Sequence, residues 1–266
     1  MHWPLDTRER PILIIHAHPD DEVFAGGAAA AWLSSLGAKV ILRVASGGEA
    51  AEKFANNSTE ARNRRNNGLD QSCKLLGISE WDWLSIPGRW SDTGGNLQLG
   101  SLSSASIDEL ASEVLRTLHV VRPRWILTVG KEGLTGHPDH ILIRRAIDVV
   151  VQGLGNSAPM VLGSRVCASD VTAAHQLLSS RGIESAGSGR LVGTTDQLDT
   201  CVAPDFAGHA RRAAYEVYAE SPKTTEAIEA RRVSSRPGDS LVLRSVFDVT
   251  GWNVDRFEYL SKIVKG

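Results

Sequence analysis

Residues Pro11–His16 read PILIIH, an apolar run too short for a buried helix and lacking the alternation of a half-exposed strand. A run of this kind is buried on both faces, as an inner strand of a parallel sheet is when helices cover it from either side. The residues that follow fit that constraint. Ala25–Leu36 is rich in alanine, ends at Gly37 and predicts a helix, and Lys39–Val44 (KVILRV) predicts a second buried strand, completing a β-α-β unit. Helices are expected over Asn57–Leu76, stopped by Gly77, and Ile107–Val121, stopped before Pro123. Trp81 and Trp83 alternate with polar residues as in a half-buried strand. Arg124–Val129 (RWILTV) predicts another inner strand, and His140–Val151 a helix.

This alternation predicts an α/β fold with a doubly wound, mainly parallel Rossmann-like sheet, whose ligands bind beyond the carboxyl ends of the strands. After Gly153 the pattern loosens into a mixed C-terminal extension. Strands are expected at Met160–Cys167, Leu191–Val202 and Leu241–Val249, a helix at Phe206–Ala219, and a mobile Gly/Ser-rich loop at Ser179–Gly193. The chain has 266 residues and no Pro/Gly/Ser linker between two halves, so 1–266 reads as one domain. In it, 11–150 are expected to form the α/β core and 151–266 to complete the domain.

Charge narrows the partners. The 29 basic and 31 acidic residues nearly balance, and the best basic cluster, Arg62, Arg64 and Arg65, is short. Neither nucleic acid nor an anionic membrane is expected, since phosphate neutralisation needs clustered Lys and Arg. Cys73, Cys167 and Cys201 lie far apart without C-x-x-C spacing, which argues against a disulfide framework or a cysteine metal site and fits the cytoplasm. Met1–Arg10 lacks the apolar stretch of a signal peptide, and no apolar run reaches bilayer length. Oligomeric state is not encoded in any pattern we recognise.

Two motifs carry the chemistry. His16-Ala17-His18-Pro19-Asp20-Asp21-Glu22 packs two imidazoles and three carboxylates into seven residues directly after the first strand. Burying these charges without partners would cost several kcal/mol, on the order of the penalty for unpaired interior ions, so they face solvent or surround a cation. Histidine and aspartate suit zinc, and a His-x-x-Asp step can turn both side chains inward at a strand-to-helix turn. Gly136-His137-Pro138-Asp139-His140 repeats the pattern after the Arg124–Val129 strand and offers a third ligand. Two histidines and one carboxylate leave a coordination position open, as catalytic zinc sites do.

These motifs, with Ser46-Gly47-Gly48-Glu49 and Gly133-Leu134-Thr135, resemble the zinc-dependent N-acetylglucosaminyl deacetylases of the PIG-L or LmbE-like family over residues 11–150. The resemblance implies one zinc held by His18, Asp21 and His140. It implies Asp20 as the base that activates the attacking water, and His137 as the imidazole that stabilises the oxyanion or assists proton transfer. The chemistry agrees: amide hydrolysis needs a nucleophile, a Lewis acid and a proton for the leaving amine. Asp20 cannot serve as base from the metal's coordination shell, so the adjacent aspartates divide the work. Asp139 is a candidate to orient an imidazole by accepting its N–H.

The chain departs from the family at two points. Thr135 stands where some members place a carbonyl-polarising tyrosine, and Arg65 is followed by Gly68 where members often show Arg-x-x-Glu. Candidate substrate contacts are Trp90, in a polar, glycine-bearing loop where it could stack on a sugar; Arg65; and His16, which could line the pocket. The isolated His2, His119, His175 and His209, and Trp81 and Trp83, read as structural. The expected activity is hydrolysis of an N-acyl group, foremost acetyl, from an amino-sugar-containing small molecule such as an N-acetylglucosaminide. Two alternatives are kept. A thiol-conjugate amidase is disfavoured by Ala25, where such amidases carry lysine; a carbohydrate-binding module without turnover is disfavoured because binding needs neither Asp20 nor His137.

Overall fold

The computed structural model describes Leu5 and residues 10–52, 57–183, 193, 197–218 and 239–260. Seven strands form one sheet in the order β3-β2-β1-β4-β5-β7-β6. They are β1 (Ile12–His16), β2 (Val40–Val44), β3 (Glu80–Trp83), β4 (Trp125–Val129), β5 (Met160–Ser164), β6 (Asp199–Val202) and β7 (Val254–Leu260). Strands β3 to β5 run parallel through β2, β1 and β4, while β7 pairs antiparallel with both β5 and β6. The expected mainly parallel sheet with a mixed extension is therefore present.

Every residue of β1 and β4 is buried, as their largely apolar composition requires. Ile12 and Ile14 enter one apolar cluster with Leu42, Leu69 and Leu76, whereas Leu13 and Ile15 enter the opposite one with Val114, Ile143 and Ile147. The helices α1 (Asp21–Phe24), α2 (Gly27–Ser35), α3 (Ser58–Leu76), α4 (Ile107–Val121), α5 (Gly133–Gly136), α6 (Pro138–Leu154), α7 (Ala168–Ser180), α8 (Asp205–Tyr218) and α9 (Asp239–Thr250) connect and cover the strands. Helix α3 starts where the Asn57 side chain accepts the Glu60 N–H at 2.9 Å and stops at Gly77, whose φ of 68° suits glycine.

The strand order reverses between β1 and β4, which are neighbours. This switch point opens a crevice beyond their carboxyl ends, and each of the two motifs follows one of these strands.

The C-terminal third departs from expectation. Leu241–Val249 is not a strand but most of α9: Val242, Leu243, Val246 and Phe247 are buried and Val249 is exposed. Buried positions at steps of one, three and one follow a helical face rather than alternation. The true last strand, β7, carries Asp255, Arg256 and Glu258 and gives no apolar signal. Helix α7 fills a stretch for which no element is expected, and β5 ends three residues early. Of the expected Leu191–Val202 strand, Asp199–Val202 is present as β6; residues 191–192 and 194–196 lie outside the described residues, as do 184–192 of the expected Ser179–Gly193 loop. Among the described residues no helix is long and apolar enough to cross a membrane.

Candidate metal centre

The first motif leaves β1 through Ala17 and His18 and enters α1 at Asp21. Asp21 folds back on its own turn: its Oδ2 accepts the backbone N–H groups of His18 at 2.9 Å and Ala17 at 3.2 Å. The other oxygen, Oδ1, lies 3.2 Å from His140 Nε2. The second motif begins α6, with His137 as its capping residue and Pro138 in its first turn. This start sends His140 down to the end of β1, where His18 Nδ1 and His140 Nε2 approach to 3.1 Å across 122 residues of sequence.

Hydrogen-bond partners fix which nitrogen of each neutral ring carries its proton. His140 Nδ1 lies 2.9 Å from the Gly133 carbonyl, and His18 Nε2 lies 3.0 Å from Asp139 Oδ2. Both partners only accept, so these nitrogens are protonated and the lone pairs of His18 Nδ1 and His140 Nε2 face one another beside Asp21 Oδ1. Three converging lone pairs repel unless a proton or a cation lies between them. In the metal-free protein a proton can serve. Burial opposes a charged His18, but the Asp139 hydrogen bond and the nearby Asp92 and Asp21 carboxylates raise its pKa to about 9. Asp21 is held well below the usual carboxylate range: burial works against its charge, but His140 and His18 outweigh it. The donor set, two imidazoles each oriented by an acceptor behind it and one carboxylate, fits a divalent cation such as zinc.

Asp139 is fully buried and also accepts from Ser103 Oγ. Its carboxyl pKa is lowered, with burial outweighed by His18. Half-buried His137 brings a ring nitrogen within 4.8 Å of those of His18 and His140. Its Nδ1 accepts the Asp139 N–H at 3.2 Å, so Nε2 carries the proton. Burial, reinforced by His18 and His140, pushes this ring down to about 4; at neutral pH it is an uncharged donor.

Asp20 has φ 95° and ψ −24°, a left-handed backbone that costs a non-glycine residue of order 1 kcal/mol or more. Arg65 NH2 donates to its Oδ2 at 2.7 Å and also to Pro19 O. Burial raises the Asp20 carboxyl pKa while Arg65 acts against the rise. Leu134, before the second motif, also has positive φ, 59°. Of three such non-glycine residues among those described, two flank the centre.

The three substrate candidates are all buried. Trp90 is 3% exposed and packs in the cluster of Leu84, Leu102 and Leu110, so its indole presents no face to a sugar. Arg65, 5% exposed, is engaged by Asp20. His16 is 1% exposed, and burial pushes its ring down to about 4. Trp90 therefore lies in the apolar interior, Arg65 serves the neighbouring aspartate, and His16 lies in the interior close enough to feel the charges of Asp21, His140 and His18.

Asp92 was not singled out from the sequence. Its Oδ1 lies 3.7 Å from His18 Nε2, and with His18, His137 and Asp139 it forms a group of metal-capable donors. Its backbone N–H donates to Glu49 Oε2 at 2.9 Å, and Glu49 Oε1 pairs with Arg62 at 2.8 Å. The only sequence signal was its place two residues after Trp90 in a loop expected at the strand ends.

The family model for PIG-L, GlcNAc-PI de-N-acetylase, matches residues 13–151, just over half of the chain. The 1D-myo-inositol 2-acetamido-2-deoxy-alpha-D-glucopyranoside deacetylase of Thermobispora bispora is 33% identical over 150 residues, covering 52% of this chain and 50% of that protein. The match thus spans about half the length of that relative. Among solved structures, the A40926 pseudoaglycone deacetylase Dbv21 shares the fold with a TM-score of 0.62 at 18% identity, covering 97% of this chain and 99% of that one. The N,N'-diacetylchitobiose deacetylase of Pyrococcus horikoshii does so with a TM-score of 0.56 at 17% identity, covering 96% and 87%.

Proposed function

This chain belongs to the PIG-L family, the GlcNAc-PI de-N-acetylases, and on that premise we propose that it is a zinc-dependent hydrolase that removes the N-acetyl group of an amino-sugar-containing small molecule. The observation that carries this reading is the approach of His140 Nε2 to both His18 Nδ1 and Asp21 Oδ1, with a His137 ring nitrogen within reach of the two imidazoles. His18, Asp21 and His140 would hold one zinc ion per chain. Zinc bound there would supply the Lewis acidity that activates water and polarises the amide carbonyl.

The remaining steps fall to the chain's own residues. Asp20, whose side chain is 27% exposed, takes the proton of the attacking water as its oxygen bonds to the carbonyl carbon. The rise in its pKa suits a group that must both accept a proton and give it up. His137, neutral and protonated at Nε2, donates to the oxygen on which negative charge develops. The C–N bond then breaks as Asp20 passes its proton to the leaving nitrogen, yielding acetate and a free amine. Asp139 keeps His18 in the tautomer that leaves the Nδ1 lone pair free for a cation.

We further read 1–266 as one deacetylase domain, supported by β5, β7 and β6 extending the sheet of the motif-bearing strands. For location we read the cytoplasm, supported by the wide spacing of Cys73, Cys167 and Cys201, which offers no disulfide framework. The test combines metal analysis with acetate release from a panel of N-acetylglucosaminides: free sugar, inositol-linked, thiol-linked and antibiotic-linked. We expect about one zinc per chain and turnover of at least one glycoside. Asp20→Asn and His137→Ala should keep the zinc, with Asp20→Asn losing kcat by on the order of 10²-fold or more. Zinc and activity lost together in Asp20→Asn would make Asp20 a ligand and end this assignment.

A further inference from the structure

Asp20 is held at both its backbone and its carboxylate, and the two holds meet at one residue of the C-terminal half, Tyr218. The backbone hold is Glu22, whose Oε2 accepts the Asp20 N–H at 2.9 Å while its Oε1 accepts from Tyr218 OH at 2.7 Å and Ser72 Oγ at 2.5 Å. The carboxylate hold is Arg65, whose guanidinium carbon lies 4.8 Å from the centroid of the Tyr218 ring. Glu22 is buried, and Tyr218 is half-buried at the end of α8. Burial and the Glu22 carboxylate raise the Tyr218 pKa, so its hydroxyl stays protonated and donates.

The seat of this ring is built into α3. Arg65, Gly68 and Ser72 stand at helical steps of three and four and share one face. A Cβ on Gly68 would come within 2.8 Å of Tyr218 Cε1 and 3.1 Å of Cδ1. The bare backbone at Gly68 leaves the space that the tyrosine ring occupies. Arg211, also on α8, donates to Val23 O at 2.8 Å and Phe24 O at 3.0 Å and fastens that helix to α1.

We propose that Tyr218 is a positioning residue for Asp20, acting through Glu22 on its backbone and through Arg65 on its carboxylate, so that the C-terminal half takes part in placing the base. This rests on the reading of Asp20 as base. Tyr218 touches neither substrate nor metal donors in this account, so its removal should change kcat and leave zinc content and KM near those of the parent.

The experiment uses the full zinc-loaded chain and Tyr218→Phe, Tyr218→Leu and Gly68→Ala, each in the parent and in the Asp20→Asn background. The kinetic probe is acetate release from 1D-myo-inositol 2-acetamido-2-deoxy-alpha-D-glucopyranoside. In the parent, kcat should fall roughly tenfold for Tyr218→Phe and about a hundredfold for Tyr218→Leu, the scale of misplacing a reacting group by about 1 Å. Gly68→Ala should resemble Tyr218→Leu because it expels the ring. In the Asp20→Asn background the same changes should cost nothing further. Equal losses in both backgrounds would mean a general structural role and overturn the proposal, as would an unchanged kcat in Tyr218→Leu. An Asp20→Asn enzyme as fast as the parent would instead overturn the base reading. A crystal structure of Tyr218→Leu gives a readout independent of turnover: Asp20 should leave its contact with Arg65, and an unmoved Asp20 would refute the proposal even if the probe is not a substrate.

Discussion

Asp139→Asn should change the pH dependence of zinc binding in a way that separates two roles of one carboxylate. Asp139 holds the His18 Nε2 proton from 3.0 Å and accepts from Ser103 on its other oxygen. An asparagine can keep this geometry, with its amide oxygen toward His18 and its nitrogen toward the Ser103 hydroxyl, so only the charge is lost. In the parent, the metal-free His18 holds a proton up to about pH 9, and zinc must displace it. At pH 7 that competition weakens apparent affinity by on the order of a hundredfold. Affinity should therefore rise about tenfold per unit from pH 7 to pH 9 and then level off. In Asp139→Asn the His18 pKa falls and the slope disappears from this window. Intrinsic affinity should also fall, by roughly 10- to 100-fold, because a ligand imidazole has lost its carboxylate partner. The two proteins should thus differ most above pH 9 and converge near pH 7. Zinc titrations against a competing chelator of known pH dependence, run from pH 6.5 to 9.5, measure both curves. Parallel curves would refute the reasoning, since they would mean that Asp139 does not set the His18 proton affinity.

Two further outcomes follow from burial. Trp90→Ala should destabilise the fold by about 3–5 kcal/mol, as expected for emptying a packed aromatic site, read as a lower urea midpoint; an unchanged midpoint would contradict its place in the core. Glu22, pushed up to about 7 mainly by burial, binds a proton in the folded state where the unfolded chain has released it. Stability should therefore fall as pH rises from about 4.5 to 7, by about 3 kcal/mol in all. Glu22→Gln should flatten that fall in urea denaturation series, and an identical slope in both proteins would exclude Glu22 as its source.

The parts legible in the sequence are those whose physics is local. β1 and β4 are buried on both faces and so show largely apolar runs, and α3 carries its own start at Asn57 and stop at Gly77. The two motifs were legible because so many ionisable groups directly after apolar strands demand a common partner. What stayed hidden is set by distant contacts. Arg65 meets Asp20 across 45 residues and Tyr218 meets Glu22 across 196, distances at which no periodicity speaks. Trp90 misled because its neighbours Arg89, Ser91 and Asp92 are polar, although Trp90 itself bridges to Ser46 at the end of β2 and turns its ring inward. β7 hid its strand character because charges pair within the layer: Glu258 with Arg144 and Arg165, and Asp255 with Arg211.

The 122 residues between His18 and His140 bear on the order of events in folding. Neither half-site can hold a cation in the three-donor arrangement until β1 has found β4, a pairing between remote segments and hence among the contacts with the largest loop-closure cost. Metal capture should accordingly trail chain collapse and report the arrival of the central pair, so that a zinc-sensitive dye in a refolding experiment would time that docking. The same separation would make a bound zinc ion a latch: at a hundred times its dissociation constant, free zinc would add about 2.7 kcal/mol to the native state by mass action, an increment that would tie together the two halves of the motif-bearing segment.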